Sequence, residues 1–144
     1  MDLLKKENVQ ILNRAEDWKD AIRKSVMPLE NGGYVEPRYK EEIISNVEKM
    51  GSYIVIAPYI ALPHARPEQG VIKSQIAVTL FKDAIEFENK DNPVRLFIVL
   101  AAADNNRHLE ALVVISELLQ DERIVQKILN AENEEELYEY FVSE

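Results

Sequence analysis

From Val94 to Ala102 every residue but Arg95 is apolar. The run is far too short to cross a bilayer, and it lacks the every-second-residue polarity of a strand with one wet face. It reads as a central strand covered on both sides, which requires a sheet lying between helical layers. The rest of the chain has to supply those layers and the neighbouring strands.

It does so in a readable order. Val9 to Leu12 is a short extended candidate. Trp18, Ala21, Ile22, Ser25, Val26 and Leu29 recur at helical spacing and predict an amphipathic helix from about Ala15 to about Leu29. Glu16 and Asp17 stand where the helix dipole favours negative charge, and Pro28 is expected to fray the far end. Asn31-Gly32-Gly33 breaks the chain. A second helix opens at Pro37, tolerated in a first turn because the missing N–H has no helical partner there. Tyr39, Ile43, Val47 and Met50 form its expected buried stripe, and Gly51 stops it. Tyr53 to Ala57 is a β-rich run closed by Pro58. Ser74 to Phe81 alternates, with Ile76, Val78 and Leu80 on one face and Gln75, Ala77, Thr79 and Phe81 on the other. That pattern predicts a strand, with Ile85-Glu86-Phe87 as a short partner. Asn89-Lys90-Asp91-Asn92-Pro93 is a turn cluster.

After the apolar run, Asp104-Asn105-Asn106 offers caps for a third helix reaching about Leu119. Two shorter helical patterns follow, one through Ile124, Val125, Ile128 and Leu129. The other runs through Leu137, Tyr140 and Phe141 behind an acidic start at Glu132 to Glu136, which reads as a solvated helix start and not a cation site. No repeat, low-complexity tract or linker interrupts the 144 residues. The expectation is one domain, residues 1–144, of α/β (α+β) class: a three-layer α/β/α sandwich with a mixed sheet of about four to five strands.

Composition narrows the function classes. The chain has no cysteine, which removes disulfide frameworks, thiolate metal sites and cysteine nucleophiles together and is compatible with a reducing compartment. Its 26 acidic and 17 basic side chains leave a net charge of −9. A field of that sign repels phosphate backbones and anionic lipid, so nucleic acid and direct membrane insertion are not expected; a protein partner with a basic face is. Met1 to Glu7 lacks the charged-then-apolar order of a signal peptide. A cytoplasmic location is the expectation.

Two histidines carry the available chemistry. His64 lies in Ile60-Ala61-Leu62-Pro63-His64-Ala65-Arg66-Pro67-Glu68-Gln69-Gly70, a segment stiffened by a proline on each side of the histidine and closed by a glycine able to turn. A surface loop with an incidental histidine is the plainer reading. His108 falls in the first turn of the third helix, on a line with Leu112, Ile115 and Leu119, where a core histidine satisfied by one hydrogen bond is an equally simple account. Together they suggest more. Each follows a strand, so both can lie on one rim of the sheet, where ligand sites of α/β folds gather and helix N-termini attract anions. A neutral imidazole is a competent nucleophile near neutral pH. The chain has neither a P-loop nor a Gly-x-Ser-x-Gly elbow, so a phosphoryl group would have to come from another protein. No His-Glu-x-x-His or other close pairing argues for a metal.

Ile60-Ala61-Leu62-Pro63-His64-Ala65 resembles the active-site segment of enzyme IIA components of the phosphoenolpyruvate-dependent sugar phosphotransferase system, of the mannitol/fructose class (type 2). Asn105-Asn106-Arg107-His108-Leu109 is similar to that class's second histidine motif. Val35 to Tyr39, Tyr53 to Ala57 and His64 to Val71 look closest to its ascorbate-type subgroup. The likeness runs from about Gln10 to the C-terminus. It implies an α/β fold with a mixed sheet and a phosphotransferase role with a phosphohistidine intermediate and no cofactor. His64 would be phosphorylated by the carrier protein HPr and would pass the group to a cysteine of a cognate IIB component, serving a membrane IIC permease for an ascorbate-like carbohydrate. His108 would orient or stabilise the phosphoryl group. The alternatives are a regulatory module that signals through its phosphorylation state and a non-catalytic acidic interaction domain.

One position departs from the mannitol-type pattern. Those members carry an arginine sixteen residues before the reactive histidine, where this chain has Glu48. A glutamate cannot donate to a phosphate, so the candidate supports are Arg66, Lys49, Arg38 and Asn106, together with backbone amides.

Overall fold

A computed structural model describes residues 3–87 and 93–142. The elements run β1 (Leu4–Leu12), α1 (Trp18–Asn31), α2 (Arg38–Met50), β2 (Val55–Ala57), β3 (Tyr59–Ala61), β4 (Gln75–Ile85), β5 (Val94–Ala101), α3 (Asn105–Leu119), α4 (Glu122–Leu129) and α5 (Glu134–Val142), with a 3₁₀ turn at Pro67–Gln69. The strands form one mixed sheet in the order β1-β4-β5-β3-β2. β1 pairs with β4 and β3 with β5 in parallel, while β4 with β5 and β2 with β3 are antiparallel.

The apolar run is β5, and it is the middle strand. Its alternate residues feed two cores. Phe97, Val99 and Ala101 join Trp18, Ile22, Leu29, Tyr39, Ile43 and Val47 on the α1–α2 side. Leu96, Ile98 and Leu100 join Ala111, Ile115, Ile128, Leu137 and Phe141 on the α3–α5 side. The expected three-layer sandwich is therefore the observed one, and the faces assigned to Ile76, Val78 and Leu80 against Ala77 and Phe81 fall in opposite cores. Arg95, the single interruption, turns its Nε to donate to Phe81 O at 3.0 Å.

Several boundaries differ, each for a physical reason. β1 begins at Leu4, not Val9, because pairing with β4 recruits a stretch whose charged residues face solvent along the sheet edge. α1 begins at Trp18, since Asp17 is extended and its carboxylate accepts from Asp20 N at 2.8 Å as the N-cap. Pro28 does not end α1. The Lys24 carbonyl that a proline four residues on leaves without a helical donor accepts instead from Gln10 Nε2 at 2.8 Å, and that amide also donates to the buried Thr79 hydroxyl at 2.9 Å. α1 thus continues to Asn31.

Met50, expected in the buried stripe of α2, is 63% exposed. α2 ends at that residue and Gly51 turns away at φ +82. Ile85 is the last residue of β4, not part of a separate strand, after a register shift between Leu80 and Ile85. The turn cluster at residues 89–92 lies outside the described residues. β3 was not foreseen. It opens the segment read as a stiff turn, and Tyr59, at φ +69, reverses the chain after Pro58 so that β3 folds back on β2.

Candidate functional site

β3 and β5 are parallel neighbours, so the segments leaving their C-terminal ends emerge on the same rim. After β3 the chain continues alongside β5: Leu100 N donates to Pro63 O at 3.0 Å, and Leu62 N to Ile54 O at 2.7 Å. Beyond β5, Asp104 caps α3 by accepting from Arg107 N at 2.8 Å, which places His108 at the end of the first helical turn. The two imidazoles meet with ring centroids 5.6 Å apart. They line one open cleft of about 570 Å³ between α2, the His64 segment and the N-terminus of α3.

His64 Nδ1 lies 2.6 Å from Leu62 O. A carbonyl oxygen only accepts, so Nδ1 carries the proton, and Nε2 keeps its lone pair. Burial holds the imidazole below its ordinary pKa, the Leu62 hydrogen bond opposes that, and His108 adds to the lowering. The result is an imidazole biased towards its neutral form, with Nδ1 protonated and the lone pair left on Nε2. His108 is half-buried beside it.

The backbone around His64 is held on both sides. Tyr53 donates its hydroxyl to His64 O at 2.6 Å and sets its ring edge-on to the imidazole at 5.3 Å. The buried Tyr39 hydroxyl accepts from Ala65 N at 3.0 Å and donates to Leu100 O at 2.8 Å. Arg66 N donates to Gln69 Oε1 at 2.9 Å, and the Gln69 amide is paired with that of Asn46. Gly70, at φ +132, closes the turn where a Cβ would come within 3.3 Å of Tyr39 Cβ. Only glycine fits both the torsion and the contact.

Of the four proposed supports, Lys49 and Arg66 line the cleft. Arg38 does not. Its guanidinium is engaged elsewhere, donating to Glu36 Oε1 and to Glu68 O at 2.7 Å each. Asn106 is not a lining residue either; its neighbour Asn105 is. Glu48 turns aside to Lys19, 3.0 Å away, whereas Asn46, Lys49 and Met50 form the stripe of α2 that faces the cleft. Sequence reasoning missed Asn46 and Tyr53. The i, i+3, i+4 spacing of Asn46 with Lys49 and Met50 is the available signal, masked because Met50 also continues the apolar line of Tyr39, Ile43 and Val47. No group of three metal-ligating side chains occurs among the described residues.

Paired histidines on the central rim of an α/β sandwich, with a helix N-terminus beside them, make a place whose chemistry suits an anion. The chain belongs to the phosphoenolpyruvate-dependent sugar phosphotransferase system EIIA 2 family, whose model matches residues 2–144. It is 35% identical over 136 residues to the mannitol-specific cryptic phosphotransferase enzyme IIA component of Escherichia coli, covering 94% of this chain and 92% of that one. The solution structure of the cryptic mannitol enzyme IIA from Escherichia coli matches with TM-score 0.91 at 34% identity, covering 97% and 95% of the two chains. The ascorbate-specific EIIA component of Shigella flexneri is 37% identical over 137 residues, covering 94% and 89%. A complex of the mannitol enzyme IIA with phosphorylated enzyme IIB from Escherichia coli matches with TM-score 0.85 at 26% identity, covering 99% and 100%. Membership makes this chain a phosphotransferase-system component. Among the described residues, no helix is long and apolar enough to cross a membrane.

Proposed function

We propose that this chain is a cytoplasmic phosphocarrier that takes a phosphoryl group from phospho-HPr onto His64 Nε2 and delivers it to a cysteine of a cognate IIB protein. Through that protein it serves a IIC permease for an ascorbate-class carbohydrate. The hydrogen bond from His64 Nδ1 to Leu62 O carries the reading, because it leaves Nε2 as the one ring nitrogen with a lone pair to offer. In the first step the P–N bond of the donor histidine breaks as the P–Nε2 bond forms. The His64 ring keeps its Nδ1 proton and gains positive charge, which the Leu62 carbonyl stabilises. In the second step the acceptor thiolate attacks phosphorus, and the Nε2 lone pair returns to a neutral imidazole.

His108 orients the phosphoryl oxygens, and the N-terminus of α3 adds the positive end of its dipole. Lys49 and Arg66, the latter 3.5 Å from the Glu68 carboxylate, are the cleft-lining cations that offset the charge in place of an arginine at position 48. The complex of a relative with phosphorylated IIB supports the acceptor, and the ascorbate-specific relatives support the carbohydrate class.

Incubation with phosphoenolpyruvate, enzyme I and HPr is expected to label the protein, and His64→Ala to abolish the label. His108→Ala is expected to accept label and transfer it more slowly to IIB. Persistent labelling of His64→Ala removes the assignment. Transfer from the labelled protein to a panel of IIB partners identifies the carbohydrate branch.

A further inference from the structure

The peptide unit joining His64 to Ala65 is gripped at both ends by tyrosine hydroxyls. Its carbonyl accepts from Tyr53 at 2.6 Å, and its N–H donates to Tyr39 at 3.0 Å. The two phenols come from different places, Tyr39 from the first turn of α2 and Tyr53 from the loop before β2. Neither contact is needed to form a strand or a helix.

Tyr39 reaches further. Its single hydroxyl proton goes to Leu100 O at 2.8 Å, since the other acceptor within reach, Ala65 O, is farther away at 3.4 Å. Leu100 N in turn holds Pro63 O at 3.0 Å. One residue of the central strand is thereby tied to the backbone on each side of His64, directly at Pro63 and through Tyr39 at Ala65. The same strand leads four residues later into α3 and His108. Tyr39 is fully buried, so water cannot replace its hydroxyl bonds without opening the core.

Fixing this peptide has a chemical consequence. The Nδ1 proton of His64 is held by the carbonyl of Leu62, two residues back in its own chain. That bond survives only while the backbone between Leu62 and Ala65 keeps its path. A rotation of the His64–Ala65 peptide would move the Cα–Cβ direction, stretch the 2.6 Å contact and let the proton shift to Nε2, which then has no lone pair to offer.

We infer that the hydroxyls of Tyr39 and Tyr53 are positioning groups that lock His64 in its Nδ1–H tautomer and aim Nε2 past His108 into the cleft. This rests on His64 being the reacting residue, but the tautomer itself is measurable without any phosphoryl transfer. In ¹⁵N-labelled protein the two ring nitrogens of His64 report which one is protonated. The native protein is expected to show protonated Nδ1 and bare Nε2 at pH 8. Tyr53→Phe keeps the ring against the imidazole and removes only the hydroxyl; Tyr39→Phe removes the link to Leu100. Each variant is expected to fold, to show a mixed tautomer signal, and to accept label from phospho-HPr about tenfold more slowly.

Unmoved ¹⁵N shifts together with native labelling rates in Tyr53→Phe overturn the inference, whatever Tyr39→Phe does to stability. Mixed tautomers in the variants with no labelling of native His64 uphold the clamp and overturn the relay instead. Slow labelling with an unmoved tautomer also overturns the inference, since it makes the hydroxyls general supports of the fold.

Discussion

At the scale of single residues, the behaviour of His64 is decided by its wrapping. Burial disfavours the imidazolium, so the ring's folded pKa lies below the ordinary value. The sign for function follows directly. In the proposed relay the neutral ring is the nucleophile, so labelling should hold steady as pH falls through the ordinary imidazole range near about 6.5 and decline only below it. The sign for stability is the same, over a different window. Between the unfolded and the lowered folded pKa the unfolded chain binds the proton first, so this residue's contribution favours folding above that window and is lost as pH falls through it. Rapid-quench labelling and urea midpoints, both from pH 8 to 5, check the two curves. A labelling rate that halves at the unperturbed pKa would show an unwrapped ring. Lys49 shows what one register position does: Glu48 turns towards Lys19 on α1 while its neighbour faces the cleft.

At the scale of elements, α3 carries both a packing face and the cleft's electropositive edge. Its cap is a carboxylate, Asp104, which also lines the cleft. A carboxylate suits the helix N-terminus yet repels an incoming phosphoryl group. Asp104→Ala is expected to lower stability by about 1 kcal/mol through the lost cap, and Asp104→Ser to restore most of that while removing the charge. Urea unfolding of the two variants separates the effects, and equal loss in both would mean that the cap contributes little. The elements also show what a sequence discloses. β5 was legible because burial on both faces leaves a continuous apolar run, and α3 because its cap and period agree. β3 was not: three residues have no period, and their strand character comes from pairing with β5 and from the left-handed Tyr59. The two histidines were legible as motifs. Tyr39 and Tyr53 were not, because a phenol that packs in a core and a phenol that holds a peptide look alike until the chain is folded.

At the scale of the molecule, two cores share one sheet. Trp18 stacks on Phe87 at 5.6 Å in the α1–α2 core, while α3, α4 and α5 pack on the opposite face. β4 and β5 contribute to both, so neither layer can leave without exposing residues on which the other rests. Unfolding is expected to be a single transition. Trp18 fluorescence and far-ultraviolet circular dichroism should give coincident urea curves, and separated midpoints would divide the chain into independent halves. The net charge of −9 acts at this scale too, favouring encounter with a partner of opposite sign.

The parallel pairing of β3 with β5 has one more implication. Adjacent strands lie about 4.8 Å apart, and the imidazoles on the segments that follow these two are 5.6 Å apart. Pairing of β3 with β5 brings the two segments to one rim, and the tyrosine hold on the His64 backbone and the cap of α3 set the rest of the distance. That pairing is made by backbone groups, which side-chain substitution leaves in place, and the fold is shared with the cryptic mannitol enzyme IIA of Escherichia coli at 34% identity.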